Sequence, residues 1–214
     1  MVEGNRHNSI IVAEPNYPCF EHGHLPADLE AYRYKLPWPL RSDESGIFIS
    51  AFFGGQDFVK KDCIHDGVDF HVSAGTPVTC IEDGQVIYGI DDERGWTFGN
   101  LFIQGSITNI RYRYCHLALD SLPWDIKSLW GGDINKRPTV KAGQILGEVA
   151  RWFSEIPPDI SIPVEAENLY GRRRDHLHLT TEYSPYSFYS KEGLRATEFN
   201  PLLVLQKPSD YFKT

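Results

Sequence analysis

The sequence has no long hydrophobic run and no excess of positive charge. Within its 214 residues, no stretch approaches the roughly 18 consecutive apolar residues of a membrane-spanning helix. The formal net charge is -8, and the basic residues are scattered apart from a short cluster at 172–174. We therefore expect neither a membrane span nor a nucleic-acid partner. The opening stretch MVEGNRHNSIIVAEPNYPCF also lacks the apolar segment of a signal peptide, which predicts no export signal.

Cysteine is scarce and shows no motif. The four cysteines are Cys19, Cys63, Cys80 and Cys115, and none of their spacings is C-x-x-C. Buried free thiols are the interpretation we favour, because free cysteine packs like a small hydrophobic residue. Disulfide bonds are one alternative, and zinc ligation by Cys63 or Cys115 is another, since both lie beside histidines. The chain also contains no H-E-x-x-H motif, which excludes zinc peptidases that use the glutamate of such a helix as their base.

Helical periodicity is rare as well, whereas short strand-like runs recur from residue 46 onward. These runs are rich in β-branched and aromatic residues and are separated by Gly, Pro, Asp and Asn. They are GIFISAFF, GVDFHV, PVTCI, GQVIYGI, NLFIQG, IRYRYCHL, QILGEVA and DHLHLTTEY. The pattern predicts a mostly β fold with an antiparallel sheet or sandwich core and few short helices.

The hydrophobic content of 41% is enough for one buried core. We predict an irregular N-terminal extension at 1–45, a β domain at 46–206 and a C-terminal tail at 207–214. Within the extension, PADLEAYRY favours a short helix. Two long connections, 120–139 and 152–174, are expected either to wall a cleft or to pack against the core.

Two pairs of polar residues share a face if their segments are strands. In CIHDGVDFHV, His65 and Asp69 are four residues apart, and in DHLHL, His176 and His178 are two apart. Side chains at i, i+2 and i+4 of a strand lie on the same face. Imidazole and carboxylate groups gathered in this way suit zinc with a position left open for water. Taken singly, each residue is more readily explained as a hydrogen-bonded polar group of the core.

The order of the motifs is more specific than any one of them. HDGVDFHVSAGTPV, EDGQVIYG, GNLFIQG, YRYCHLA, VKAGQILGEV, DHLHLTTEY and NPLLVL follow one another along the chain. Together they resemble the lysostaphin-type zinc metalloendopeptidases, which are peptidoglycan hydrolases, over about residues 50 to 205. The resemblance implies lipoyl-like β hairpins, long loops around a metal cleft and one zinc ion per chain. It also implies a peptide substrate, bacterial peptidoglycan.

The resemblance assigns roles to five residues. The H-x-x-x-D element and the second histidine of H-x-H correspond to His65, Asp69 and His178, which are implied to be zinc ligands. The first histidine of H-x-H and the histidine of YCHLA correspond to His176 and His116, which are implied to be the catalytic pair. Which of these two is the general base is left open.

Other residues around these motifs receive weaker predictions. Asn100 matches a recurrent structural asparagine, and Arg173 lies in GRRRD, where the family has a small Thr-Gly-Pro segment; we expect both to contact the substrate. His71 is expected at the surface or behind the ligands. Asp175 and Glu182 are expected either to orient a histidine or to lie at a solvated strand end.

The function that follows is a zinc-dependent metalloendopeptidase that hydrolyses peptide bonds in peptidoglycan cross-links. Metal-activated water would attack, with two histidines as general base and transition-state stabiliser. The alternative is a catalytically silent module on the same fold that binds cell wall or activates a hydrolase. The family resemblance implies a periplasmic or extracellular location, whereas no signal peptide is visible, so the location is left open.

Overall fold

The structure is a computed structural model that describes residues 10–12, 24–40, 47–51, 53, 65–91, 98–125, 129, 133–153, 167, 171–183 and 197–206. Eleven strands lie in these residues: β1 Ile10–Val12, β2 Ile47–Ala51, β3 Val68–His71, β4 Pro77–Thr79, β5 Gly84–Asp91, β6 Phe98–Gly105, β7 Ile110–Ala118, β8 Thr139–Val140, β9 Ile145–Glu148, β10 His176–Tyr183 and β11 Thr197–Phe199. Four short 3-10 helices accompany them: Ala27–Tyr32, Leu119–Ser121, Ile134–Lys136 and Pro201–Leu203.

Nine strands form one sheet in the order β1-β2-β3-β10-β7-β6-β5-β8, with β11 also paired to β10. Strands β4 and β9 form a separate two-stranded sheet. Apart from the parallel pair β1 and β2, the strand pairs are antiparallel. The predicted fold class, mostly antiparallel β with few short helices, is confirmed.

Each of the eight strand-like runs overlaps a strand of the structure. The sequence missed β1, β8 and β11, which are two or three residues long. A segment of that length has too few residues to show alternation. Of the two long connections, 120–139 is described at 120–125, 129 and 133–139, whereas 152–174 falls largely outside the described residues.

Alternation along β3 and β10 divides these strands between the core and the site. Val68 and Phe70 on β3 and Leu177 and Leu179 on β10 are fully buried in the hydrophobic core. The residues that alternate with them, which include both predicted histidines of β10, therefore lie on the opposite face. This face carries the polar groups described below.

The segment 24–40 covers one part of the core. PADLEAYRY contains the 3-10 helix Ala27–Tyr32, whose Leu29 is buried with Trp38 and Leu40. Leu36 bridges to Leu205, and the indole N–H of Trp38 donates to the Gln206 carbonyl at 2.9 Å. Residues of the predicted extension and residues near 205 thus hold each other against the sheet.

No helix in the described ranges is long and apolar enough to cross a membrane.

Candidate metal centre

The register between β3 and β10 brings four polar side chains to one face of the sheet. His178 pairs with Asp69, and His176 pairs with His71. Directly opposed residues of antiparallel strands have their Cβ atoms about 4.5 to 5.5 Å apart. The H-x-H and H-x-x-x-D elements therefore meet because the strands pair in this register.

His65 reaches the same place from just before β3, and Gly67 makes this approach feasible. A Cβ at Gly67 would overlap the carbonyl oxygen of Leu179 and lie 2.9 Å from the ring of His178. Only glycine lets the backbone run this close to β10. The glycine in HDGVD thus places His65 beside His178.

Three ligand atoms converge at this point. Nε2 of His65 lies 3.2 Å from Oδ1 of Asp69 and 3.0 Å from Nδ1 of His178. Nδ1 of His178 lies 2.7 Å from the same Oδ1. Atoms bound to one tetrahedral zinc ion at 2.0 to 2.2 Å are about 3.3 to 3.6 Å apart, so a small expansion suffices. Two histidines and one carboxylate are also the donor types that zinc prefers, and the set fits this metal.

The charges around this point are strongly coupled. Burial alone would lower the pKa of His178, but hydrogen bonds to Asp66 and Asp69 outweigh it and raise the pKa to about 10. Burial alone would raise the pKa of Asp69, but His176, His178 and His65 hold it well below its usual range. In the absence of a metal ion, the two carboxylates thus favour a proton on His178. A metal cation at the three ligand atoms would take the place of that proton.

His116 reaches the site through an irregularity in β7. Between Gly99 and Leu101 of β6, the paired residues on β7 run from Leu117 to Tyr114, so Cys115 and His116 together oppose Asn100. This is a β-bulge, and His116 has φ of 64°, in the left-handed region. Such a backbone is rare for a non-glycine residue and is found at functional sites.

The bulge interrupts the alternation of β7 and so changes the direction of the His116 side chain. Cys115 pairs with His178, so regular alternation would send the next side chain to the other face. The ring centroid of His116 nevertheless lies 4.6 Å from that of His176 and 6.0 Å from that of His178. The predicted catalytic pair is therefore adjacent in space.

The two histidines of this pair differ in their surroundings. Burial, together with the nearby His176 and His178, lowers the pKa of His116 well below its usual value, which keeps this ring neutral. Nδ1 of His176 lies 2.6 Å from the carbonyl oxygen of Arg174 and must donate to it. A neutral His176 then has its lone pair on Nε2, which lies 3.8 Å from Oδ1 of Asp69 and close to the ligand atoms.

Trp152 packs against both His116 and His176. Its ring is stacked on His176 at 5.2 Å and 24°, and meets His116 edge-on at 5.1 Å. Phe98 also packs against Trp152, with ring centroids 5.0 Å apart. The sequence pattern does not predict this contact.

Asp175 links Trp152 to the start of β10. Its carboxylate accepts hydrogen bonds from the backbone N–H groups of Trp152 at 2.7 Å and Ala74 at 3.3 Å. Nε of Arg173 also donates to it at 2.9 Å, while nearly half of the Arg173 side chain is exposed. The expectation that Asp175 orients a histidine is replaced by a role in joining three chain segments.

Other predicted residues are placed as follows. His71 is buried, and burial lowers its pKa to about 4, so it is not a surface residue. Glu182 forms an ion pair with Arg111. Cys80 and Cys115 are free and buried, whereas Cys19 and Cys63 lie outside the described residues.

Sequence reasoning missed Asp66, although it is part of the HDGVD motif. Its Oδ1 lies 3.1 Å from Nε2 of His178, and its Oδ2 lies 3.7 Å from Nη1 of Arg113. The hydrogen bond to His178 is the main reason why the pKa of Asp66 falls to about 2. The sequence signal that could have identified Asp66 is a second carboxylate directly after the predicted ligand His65.

Comparison with known proteins gives matches among solved structures only. No protein-family model matches the sequence, and no curated protein sequence matches it significantly. The solution structure of lysostaphin is 20% identical, with a TM-score of 0.41 over 66% of this chain and 45% of that chain. The catalytic domain of lysostaphin from Staphylococcus simulans is 19% identical, with a TM-score of 0.43 over 78% of this chain and 92% of that domain.

A zinc-containing peptidase from Vibrio cholerae is 20% identical, with a TM-score of 0.41 over 70% of this chain and 37% of that chain. The chain thus spans less than half the length of this peptidase and of the lysostaphin solved in solution.

Proposed function

We propose that this protein is a zinc-dependent metalloendopeptidase. The observation that carries the proposal is the convergence of Nε2 of His65, Oδ1 of Asp69 and Nδ1 of His178, with His116 and His176 beside them. The family resemblance of the motifs points to the same five residues. Zinc held by these ligands would supply a Lewis acid for a peptide carbonyl and lower the pKa of its water toward about 7.

The ligand set leaves a favourable charge for this chemistry. His65 and His178 are neutral ligands, and Asp69 contributes a single negative charge. The sum with a divalent ion is +1, which favours negative charge developing on a substrate oxygen. The pKa of Asp69, held well below its usual range, keeps this carboxylate ionised at neutral pH.

The geometry suggests different roles for His176 and His116. Because Nδ1 of His176 donates to the Arg174 carbonyl, its Nε2 is a proton acceptor directed toward the ligand atoms. We assign His176 as general base for the attacking water. His116 is neutral and can donate one N–H, so we assign it to stabilising the oxyanion of the transition state.

The proposed substrate is the peptide of bacterial peptidoglycan cross-links, as the motif resemblance implies. Arg173 is partly exposed. Its Nε donates to the carboxylate of Asp175, which also accepts from the backbone N–H of Trp152, so the guanidinium of Arg173 lies near Trp152. Asn100 lies opposite the bulge that carries His116. We propose that both residues contact the substrate on either side of the catalytic pair.

Arg173→Gln provides a test of the substrate contact. We expect a KM several-fold higher on peptidoglycan with zinc content unchanged, since an exposed charged contact contributes roughly 1 kcal/mol or less. Arg33→Gln is the matched control, because Arg33 is also partly exposed and paired with a carboxylate, that of Glu30. Equal KM values for the two variants would argue against substrate binding by Arg173.

The experiment that tests the function combines metal content with cleavage. Zinc is measured by elemental analysis in the wild type and in His178→Ala, and both proteins are incubated with purified peptidoglycan with and without a chelator. The proposal expects one zinc per wild-type chain, none in the variant, and chelator-sensitive release of peptide fragments. Bound zinc without cleavage would contradict a peptidoglycan peptidase, and absence of zinc would favour the binding module.

A further inference from the structure

The two ring nitrogens of His178 face different partners. Nδ1 points to His65 and Asp69, whereas Nε2 lies 3.1 Å from Oδ1 of Asp66. A neutral imidazole has one N–H, and only the nitrogen without it can bind a metal ion. Nδ1 is therefore available as a ligand atom only if the proton is held on Nε2.

Asp66 is built into this position rather than reaching it by chance. It lies between His65 and Gly67, and the absence of a side chain at Gly67 lets this segment run against Leu179 of β10. The same close approach that brings His65 to the ligand atoms brings Asp66 to the outer nitrogen of His178.

Arg113 fixes the far side of Asp66. Nη1 of Arg113 lies 3.7 Å from Oδ2 of Asp66, and Nε of the same guanidinium donates to Sγ of Cys115 at 3.0 Å. Its central carbon also lies 5.8 Å from the ring centroid of Phe102. A guanidinium held by Cys115 and Phe102 can in turn hold a carboxylate that is itself partly exposed.

We propose that Asp66 is a positioning residue for the metal site: it accepts the Nε2–H of His178 and so fixes the ring orientation and tautomer in which Nδ1 binds zinc. Arg113 keeps Asp66 in place. This inference rests on the proposed zinc site, but it does not depend on the substrate. Carboxylates that bind the second nitrogen of a histidine ligand are used in many zinc proteins, and their loss weakens metal binding by about 10- to 100-fold.

The test is the dissociation constant for zinc, measured at neutral pH by competition with a chromophoric chelator. The proteins are the wild type, Asp66→Ala, Asp66→Asn and the control Asp83→Asn. Asp83 is a matched control because its side chain has the same exposure of 38% and pairs with Lys141 at 2.7 Å, outside the ligand cluster. Circular dichroism in the presence of chelator checks that each metal-free variant is folded.

We expect Asp66→Ala to raise the Kd by about 10- to 100-fold. Asp66→Asn should have a smaller effect, because the amide oxygen still accepts a hydrogen bond but carries no charge, and Asp83→Asn should stay within about twofold of wild type. A folded Asp66→Ala protein with the zinc affinity of the wild type would overturn the inference.

A second measurement reads the tautomer directly and does not need the alanine variant to fold. Long-range proton–nitrogen correlation spectra of zinc-loaded wild type should show His178 protonated at Nε2, and the proton should exchange faster with water in Asp66→Asn. Protonation at Nδ1 would overturn the inference.

The two proposals fail in different ways. A wild type that binds zinc but does not cleave peptidoglycan contradicts the proposed function, while the comparison of zinc affinities still decides the role of Asp66. A wild type that binds no zinc contradicts both.

Discussion

Two groups of buried polar side chains lie toward opposite ends of β7, and they differ in the balance of donors and acceptors. Near the start of the strand, the carboxylate of Glu82 accepts hydrogen bonds from the N–H groups of Ile107 and Thr108, both at 3.1 Å. The hydroxyl groups of Thr108 and Tyr112 also donate to it, the latter at 2.6 Å. We call this group the Glu82 network. Each of these four contacts of the carboxylate has a donor hydrogen.

Near the end of β7, the ligand atoms of His65, Asp69 and His178 face one another instead. Nδ1 of His178 contacts two possible acceptors while its Nε2 contacts a third, on Asp66. Whichever ring nitrogen of His65 carries its hydrogen, a neutral His178 has one hydrogen for two carboxylate contacts, Asp69 at Nδ1 and Asp66 at Nε2, so the group needs an additional proton or a cation. Counting hydrogens thus separates a network that stabilises the fold from a site that is arranged for a ligand.

The largest effect that would test this contrast is expected for Asp69→Ala. The variant removes the only charged ligand, so zinc should be lost and turnover should fall by at least about 10³-fold, a small part of the acceleration typical of enzymes. Elemental analysis and peptidoglycan cleavage check both effects. A zinc-free variant that still cleaves the substrate would refute the assignment of the ligands.

His116→Ala should separate catalysis from metal binding. Because His116 lies beside the ligand cluster without being part of it, zinc content should stay at the wild-type level. Turnover should fall by about 10²- to 10⁴-fold, the range for loss of a group that acts on a proton in the transition state. Single-turnover cleavage with zinc quantified in the same sample is the measurement, and wild-type turnover would remove His116 from the mechanism.

Removing zinc should lower the melting temperature of the wild type but not that of Asp69→Ala. Free zinc at 100 times Kd stabilises the folded state by about 2.7 kcal/mol. For a chain of this length, this corresponds to a shift of roughly 5 to 11 °C. Differential scanning calorimetry with and without chelator measures the shift; an equal shift in both proteins would indicate that zinc binds elsewhere.

Glu82→Gln should lower the stability of the fold and leave zinc binding unchanged. The amide NH₂ would face donors in place of a carboxylate oxygen, which costs about 1 to 3 kcal/mol of folding free energy. The Kd for zinc should stay within about twofold of wild type, because the network belongs to the other end of β7. Chemical denaturation and chelator competition give the two quantities, and a large loss of zinc affinity would show that the groups are coupled.

The contrast also shows how far the sequence predicts the site. Alternation in DHLHL predicts that His176 and His178 share a face. His65 lies before β3, so it meets Asp69 and His178 through the close approach at Gly67 and not through alternation. The predicted position of His116 came from resemblance alone, because strict alternation from Cys115 would place it on the other face. The bulge that reverses this depends on how β7 pairs with β6, and pairing cannot be read from one strand.

The contacts of Asp66 and Trp152 illustrate a second limit. Asp66 reaches His178 because Gly67 allows a close backbone approach, which is a property of two segments far apart in the chain. Trp152 reaches His116 and His176 through a carboxylate that follows the GRRR segment. Neither contact has a periodic signature, so motif and alternation arguments do not predict them.

The carboxylate of Asp175 has a consequence for motion around His116 and His176. It joins the turn at Ala74, the backbone of Trp152 and the residue preceding β10 through one buried group. Displacement of Trp152 relative to His176 would require these hydrogen bonds to break together. The Trp152 amide should therefore exchange its hydrogen with solvent on the slow timescale of the strands, and the rings of His116 and His176 should keep their distances from Trp152.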